Sequence, residues 1–163
     1  MKTHRSPIGI SFVCLFMLLL TSCDREMFFQ YTALPEEGWR KNELVAFELP
    51  VTDTISYYNI YVHIRNSGDY PYQNFWFFTK EITPEGMVSC DTIECYLADQ
   101  RGKWLGSGAG ALFEMTVLCR QQLRFNRGGI YRYEIRQGMR EELLRGIRDI
   151  GLRIEKSDID GEK

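Results

Sequence analysis

The sequence has few of the residues that most active sites and membrane spans need. It holds 2 histidines in 163 residues, and one of them, His4, precedes the long apolar run. That run, residues 8–20, has 13 residues, whereas a membrane-spanning helix needs roughly 20. The 5 cysteines include no Cys-x-x-Cys pair, so no zinc ligand set is indicated. Histidine chemistry in the rest of the chain would have to use His63.

An excess of basic charge is also missing. The chain has 20 Lys and Arg against 22 Asp and Glu, a net charge of -2. A nucleic-acid-binding protein shows a net basic footprint, so we expect no nucleic-acid partner. Hydrophobic residues make up 44% and aromatic residues 13% of the chain, which excludes a disordered chain and favours a β-rich fold.

The first 22 residues are typical of a secretory signal peptide. Lys2 and Arg5 precede the apolar run, and small residues follow it, as at a signal cleavage site. Residues 20–23, Leu-Thr-Ser-Cys, resemble the lipobox of bacterial lipoproteins. That resemblance implies that Cys23 receives a diacylglycerol on its sulfur and becomes the mature N-terminus. An ordinary signal peptide with a chance cysteine nearby is the alternative.

The chain is long enough for one domain after the signal peptide. We expect a signal peptide over residues 1–22 and a lipidated tether over 23–42. A β-sandwich domain should follow over 43–157, with a polar tail over 158–163. Pro35-Glu36-Glu37-Gly38 is the turn signal that marks the tether. Loss of Lys2 and Arg5 leaves 18 basic against 22 acidic residues, a net charge of -4.

From residue 45 onward, apolar residues recur with a period of two. Side chains of an extended strand point alternately to opposite faces, so this pattern predicts half-buried strands. About seven short strands between turn signals predict an all-β domain, a β-sandwich or jelly roll. The expected inner faces are Val45, Phe47, Leu49; Tyr58, Ile60, Val62, Ile64; Ile93, Cys95, Leu97; Phe113, Met115, Val117, Cys119; Tyr131, Tyr133, Ile135; and Ile150, Leu152, Ile154.

Two stretches depart from simple alternation. Residues 75–78 are apolar at every position, which predicts a central strand covered on both faces. Residues 137–144 carry Met139, Leu143 and Leu144 near helical spacing, so we expect one short C-terminal helix, closed by Gly146.

No catalytic constellation is evident. His63 falls on the polar face of its strand, where a solvated histidine is expected. Cys95 and Cys119 both lie on expected inner faces of their strands. They could form a disulfide or remain two buried thiols. Five aspartates could supply a glycosidase pair, but no spacing selects two of them: Asp53, Asp69, Asp91, Asp99 and Asp149. We therefore expect no enzyme activity, no cofactor and no metal.

The glycine-rich residues 102–110 superficially resemble a phosphate-binding loop. Such loops feed a helix N-terminus, whereas these glycines lead into a segment with strand periodicity. A hairpin or bulge that exposes Trp104 is the expected structure.

Aromatic residues supply the candidate interaction surface. Tyr70, Tyr72, Trp76 and Trp104 could offer contact area to a protein or stack on sugar rings. An exposed planar row of the four rings would favour a glycan ligand, and their burial would exclude it.

The chain resembles the GldH family, lipoproteins of the Bacteroidetes gliding-motility apparatus, from about residue 39 to residue 156. The resemblance implies a lipid-anchored envelope protein, with the outer membrane as the expected location. It also implies protein partners in the motility apparatus and the associated secretion system, no enzymatic activity, and a role for Cys23 alone. The pieces that carry it are Tyr58-Asn59, Arg65-Asn66, Asp69-Tyr70-Pro71-Tyr72 with Asn74, Asp91-Thr92, Leu97-Ala98-Asp99, Gly102-Lys103-Trp104-Leu105-Gly106, Gln137, Met139-Arg140, Leu144 and Asp149-Ile150-Gly151-Leu152.

Two functions remain open at this point. The first is a non-enzymatic accessory or structural component that docks other envelope proteins. The second is a lipid-anchored carbohydrate-binding β-sandwich module. A hydrolase would need two carboxylates to converge at about 5–10 Å.

Overall fold

The structure is a computed structural model, and it describes residues 26–108 and 110–158. The expected signal peptide, Cys23 and most of the expected polar tail lie outside these residues. Within them, no helix is long and apolar enough to cross a membrane. Their regular structure consists of strands: β1 (Glu26–Ala33), β2 (Trp39–Arg40), β3 (Val45–Val51), β4 (Tyr58–Ser67), β5 (Asn74–Ile82), β6 (Val88–Tyr96), β7 (Leu112–Leu123), β8 (Gly129–Gln137), β9 (Leu143–Leu144) and β10 (Ile147–Lys156).

The strands form two four-stranded antiparallel sheets. Sheet I has the order β1-β10-β4-β7, and sheet II has the order β3-β8-β5-β6. The short strands β2 and β9 pair with each other outside both sheets. Sheets I and II share one hydrophobic core, so the predicted β-sandwich class is confirmed.

Alternation correctly predicts which residues enter the core. On β4 the even-numbered residues from Tyr58 to Ile64 are buried, and on β8 Tyr131, Tyr133 and Ile135 are buried. Burial of one such side chain contributes roughly 1.5–3 kcal/mol relative to leaving it in water. The largest completely buried side chains in the core are Trp39, Tyr58, Phe47, Phe75, Phe77 and Phe125.

The prediction that residues 75–78 are covered on both faces is wrong. Phe75 and Phe77 are buried, whereas Trp76 and Phe78 are exposed. Although β5 lies between β8 and β6 within sheet II, only one face of that sheet packs on sheet I. The other face of β5 therefore keeps two aromatic rings in contact with solvent.

The predicted helix over residues 137–144 is also not formed. The Gln137 side chain accepts a hydrogen bond from Met139 N at 2.8 Å and donates one to Glu141 O at 2.8 Å. Gly138 N donates instead to Trp76 O at 2.7 Å. Because these backbone groups are satisfied without a helical ladder, the segment forms a bend that ends in β9.

The expected tether is largely part of the fold. Glu26–Ala33 forms the edge strand β1, which pairs with β10 from Glu155 to Asp149. Trp39 is completely buried and donates its indole N–H to Glu43 O at 3.2 Å. The folded domain therefore includes residues 26–42, which were expected to form a tether.

Gly146 does not close a helix but ends the turn between β9 and β10 in a left-handed conformation, with φ +85°. A Cβ atom there would lie 2.4 Å from Tyr70 Cα, whereas Gly102, with φ +80°, faces open space. We therefore expect Gly102→Ala to cost about 1–2 kcal/mol from backbone strain alone. Gly146→Ala should cost about 3 kcal/mol or more, because the Tyr70 backbone must also move. Urea denaturation of both variants measures the difference, and equal losses of unfolding free energy would contradict the close packing.

Candidate functional site

The four candidate aromatic residues lie near one another but in different environments. Tyr70 is buried, Tyr72 is half-buried and Trp76 is exposed. Trp104 is half-buried and stacks on Phe113 with ring centroids 5.6 Å apart. The expected hairpin is formed, since the segment folds back to pair Trp104 with Ala98, but the ring is only partly exposed because it packs against Phe113.

The rings do not form a flat row. The Tyr70 ring lies 5.8 Å from that of Tyr72 at an interplanar angle of 77°, and 6.5 Å from that of Trp104 at 49°. Burial of Tyr70 and the tilt of its neighbours leave no continuous platform for a sugar chain. Tyr70 instead packs against the rings of both Tyr72 and Trp104.

Tyr72 and Trp76 line one groove on the outer side of sheet II. The groove has a volume of about 470 Å³, and its other lining residues are Gly138, Met139, Arg140 and Glu141. The Tyr72 hydroxyl donates a hydrogen bond to the Glu141 carboxylate, and this bond raises the pKa of Tyr72. The bend at residues 138–141 thus forms one wall of the groove, where the sequence predicted a helix.

The exposed rings continue along sheet II beyond this groove. We define the aromatic face as the exposed side chains of Leu44, Trp76, Phe78 and Tyr96. Phe78 lies opposite Arg136 of β8, and Tyr96 lies opposite Asn74 of β5. Sequence reasoning missed Phe78 and Leu44 as surface residues, although strict alternation with Phe75 and Phe77 would have placed Phe78 outward.

Some of the charged residues beside the aromatic face form ion pairs, and others do not. Lys80 lies 3.4 Å from Glu134, and Arg132 lies 2.9 Å from the same carboxylate. Hydrogen bonds from Arg132 are the main cause that lowers the pKa of Glu134. Arg136 and Arg140 form no ion pair within the residues that the structure describes. Two guanidinium groups can therefore receive carboxylates from a ligand on this side of the molecule.

His63 contradicts the expectation of a solvated histidine. It is 4% exposed, because Phe29 and Tyr31 of β1 cover it at ring centroid distances of 5.0 and 5.8 Å. Gly151 of β10 lies between Tyr31 and His63 in the sheet. A Cβ atom on Gly151 would lie 2.7 Å from the Tyr31 ring, so the cover over His63 needs glycine there.

The hydrogen bonds of His63 are not those of a catalytic triad. Nδ1 lies 3.0 Å from Glu114 Oε1 and 3.2 Å from Thr116 Oγ1. Nε2 is buried without a partner in the described part of the chain. In a triad the acid and the nucleophile bind opposite ring nitrogens, so this arrangement cannot relay a proton between Glu114 and Thr116.

The remaining candidate residues serve local structure. Cys90, Cys95 and Cys119 are free thiols, and burial raises the pKa of Cys95 and Cys119 to about 12. The described residues contain no group of three or more His, Cys, Asp or Glu side chains that could hold a metal ion.

The candidate carboxylates are likewise dispersed. Asp53 accepts hydrogen bonds from Ile55 N and Ser56 N, and Asp99 accepts them from Arg101 N and Lys103 N. Asp91 pairs with Arg120 at 3.0 Å. These partners assign the three carboxylates to turn formation and to contact between strands.

The buried His63 should make stability depend on pH. Burial, aided by Arg153 and Arg65, lowers its pKa below the usual 6.5, although Glu114 opposes this shift. Near pH 6.5 His63 binds a proton in the unfolded chain but remains neutral in the folded protein. The free energy of unfolding therefore falls as the pH drops through that value. From about pH 7.5 to about pH 5.5 we expect a loss of at most about 1.4 kcal/mol per pH unit.

Urea titrations at both pH values test this dependence, with His63→Gln as the comparison. The variant should lose clearly less stability than the wild-type protein over the same range. An equal loss in the two proteins would show that other groups cause the dependence.

Comparisons with known proteins agree with the resemblance in the sequence. The family model described as GldH lipoprotein matches residues 26–154. The gliding motility lipoprotein GldH homolog of Christiangramia forsetii is 35% identical over 162 residues, 94% of this chain and 99% of that protein. The gliding motility lipoprotein GldH of Flavobacterium johnsoniae is 33% identical over 148 residues, 86% of this chain and 92% of that protein. No solved structure matches the chain. The chain belongs to the GldH lipoprotein family.

Proposed function

We propose that this protein is a lipoprotein anchored in the outer membrane through acyl chains on Cys23. In this proposal it is a non-enzymatic accessory subunit of the gliding-motility apparatus and of the secretion system associated with it. The names of the two relatives support the link to motility. The arrangement around His63 supports a role without catalysis, because its acid and hydroxyl neighbours share one ring nitrogen.

The aromatic face is the observation that carries the docking role. Trp76 and Phe78 are exposed side by side on a regular strand, and rigid aromatic rings are the side chains that dominate binding energy at protein interfaces. Because the core already contains Phe75 and Phe77, the outward rings are not needed to close the sandwich. A partner protein would remove them from water.

The charge pattern indicates the chemistry of this partner. Arg136 lies beside Phe78, and Arg140 lines the groove with Trp76. A segment that presents apolar side chains next to Asp or Glu residues would pair with both guanidinium groups. We therefore propose an envelope protein of the apparatus with such a segment as the occupant of the aromatic face.

Co-purification from native envelopes tests the docking role. The lipidated protein is tagged, and proteins recovered with it are identified by mass spectrometry. In the variant Trp76→Ser/Phe78→Ser we expect loss of motility or secretion components that the wild-type protein recovers. Leu118→Ser is the matched control, since Leu118 is a similarly exposed apolar residue on sheet I.

Three outcomes separate the alternatives. Recovery of the wild-type protein without such components would contradict the docking role. Equal recovery by the double variant would show that another surface binds them. Retention of the wild-type protein on envelope polysaccharide, lost in Trp76→Ser, would support the carbohydrate-binding module instead.

The anchor is tested through its cysteine. A single acyl chain holds a protein only marginally at a membrane, whereas two or more hold it stably. We expect Cys23→Ala to abolish incorporation of labelled fatty acid and to release the protein from membranes. Cys90→Ala, which removes an exposed thiol, should change neither. Retention of Cys23→Ala in membranes after a carbonate wash would contradict acylation at this residue.

A further inference from the structure

The distance between Cys23 and the fold is very short. Asp24 and Arg25 are the residues that separate Cys23 from Glu26, the first residue of β1. Three fully extended steps span at most about 11 Å. If Cys23 carries acyl chains, as proposed above, then the end of the sandwich where β1 begins must lie next to the lipid headgroups.

Three loops lie at this end, and we call them the basal loops: residues 52–57, 83–87 and 124–128. Sheet I brings Glu26 level with Glu155, and Tyr58 level with Leu123, at the same end. The loops hold one another through Glu85 and Arg127, which lie 3.1 Å apart. Asp53 lies 3.1 Å from Lys156 at the end of β10. The basal loops therefore form one surface around the start of β1.

This surface carries the most exposed apolar residues of the molecule. Ile55 is 84% exposed, Met87 is 70% exposed, and Ile130, just after the third loop, is 61% exposed. Among the large apolar side chains that the structure describes, these three have the highest exposure. Ile130 belongs to β8, but Ile55 and Met87 lie within loops, where polar residues are the rule in a protein surrounded by water.

Several backbone N–H groups of these loops already have hydrogen-bond partners within the protein. Ile55 N and Ser56 N donate to Asp53 Oδ1 at 2.9 and 3.0 Å. Met87 N donates to Thr83 Oγ1 at 3.2 Å, and Gly86 N donates to Thr83 O at 2.8 Å. Backbone groups that already have partners cost little free energy when water is removed from them. Ile55 and Met87 are thus presented on loops that can enter an interface without unfolding.

The charges at this end are also compensated. Arg127 and Lys156 each pair with a carboxylate, and the Arg124 guanidinium lies 6.0 Å from the Tyr57 ring. Arg and Tyr side chains can lie along an apolar surface and keep their polar ends among headgroups. Approach to a bilayer would therefore leave few charges without a partner.

We propose that the basal loops rest on the bilayer that holds the Cys23 acyl chains, with Ile55 and Met87 inserted among the headgroups. Apolar side chains of interfacial segments enter roughly 5–10 Å into this region. The contact between the basal loops and the bilayer fixes the orientation of the domain. A domain held by its acyl chains alone would be free to rotate. The proposal rests on acylation of Cys23 and adds a second contact, made by the fold itself.

Nitroxide scanning of the acylated full-length lipoprotein tests this orientation. The protein, with Cys90→Ser to remove the exposed thiol, is reconstituted into vesicles of phosphatidylethanolamine and phosphatidylglycerol. Spin labels are placed at Ile55→Cys, at Met87→Cys and, as a matched control, at Leu105→Cys. Leu105 is 52% exposed and follows β6 at the opposite end of the sandwich. Mass spectrometry establishes that each preparation carries the acyl chains.

For the spin labels at positions 55 and 87, we measure the ratio of collisions with oxygen to collisions with a water-soluble nickel chelate. We expect this ratio to be several-fold higher than for a label in water. Position 105 should remain as accessible to the chelate as a label in water. Equal accessibility at all three positions in acylated protein would overturn the proposed orientation and leave the anchor intact. If full-length protein purified from its native membrane carries no acyl chains, the proposed anchor is wrong, and the proposed orientation is wrong with it.

Discussion

The antiparallel pairing of β1 with β10 is the constraint on which the rest of the structure depends. It completes sheet I with the first and the last long strands of the described chain, and its register sets Tyr31 opposite Gly151. Because β1 begins at residue 26, this pairing ties the segment after Cys23 to a sheet edge. The same pairing lays Phe29 and Tyr31 over His63, so a position on the outer face of a strand becomes buried. The position of the start of β1 and the burial of His63 thus have one common cause.

Alternation along the sequence was enough to predict the fold class and most of the core, because β3, β4, β8 and β10 each have one face on the core. Alternation alone was not enough to identify β1. Phe28 packs toward Phe47 while Phe29, on the opposite face, covers His63, but the strand is fixed by its pairing with the distant β10. The local pattern also failed for residues 137–144, where hydrogen bonds of the Gln137 side chain outweigh a weak helical spacing. Both failures arise from contacts with distant or specific partners that a local pattern does not contain.

The candidate site was predictable to a similar degree. Tyr72 and Trp76 do line one groove, but Tyr70 is buried. Trp104 stacks on Phe113 because the segment after β6 folds back on Leu97 and Ala98. Aromatic residues close together in sequence do not reveal which rings face water, since that depends on which face of the sheet is covered. Here only one face of sheet II is covered, and this fact alone separates Phe77 from Phe78.

The two proposed surfaces lie at opposite ends of the same strand, and this limits what can bind at each. Trp76 stands near the start of β5, while the basal loop of residues 83–87 follows its last residue, Ile82. Six strand residues between them span about 20 Å. With the basal loops against the bilayer and β5 perpendicular to it, the groove would lie about 20 Å from the headgroups. A partner confined to the bilayer cannot reach Trp76, so the partner of the aromatic face must have a domain or an extended segment that rises at least this far above the membrane.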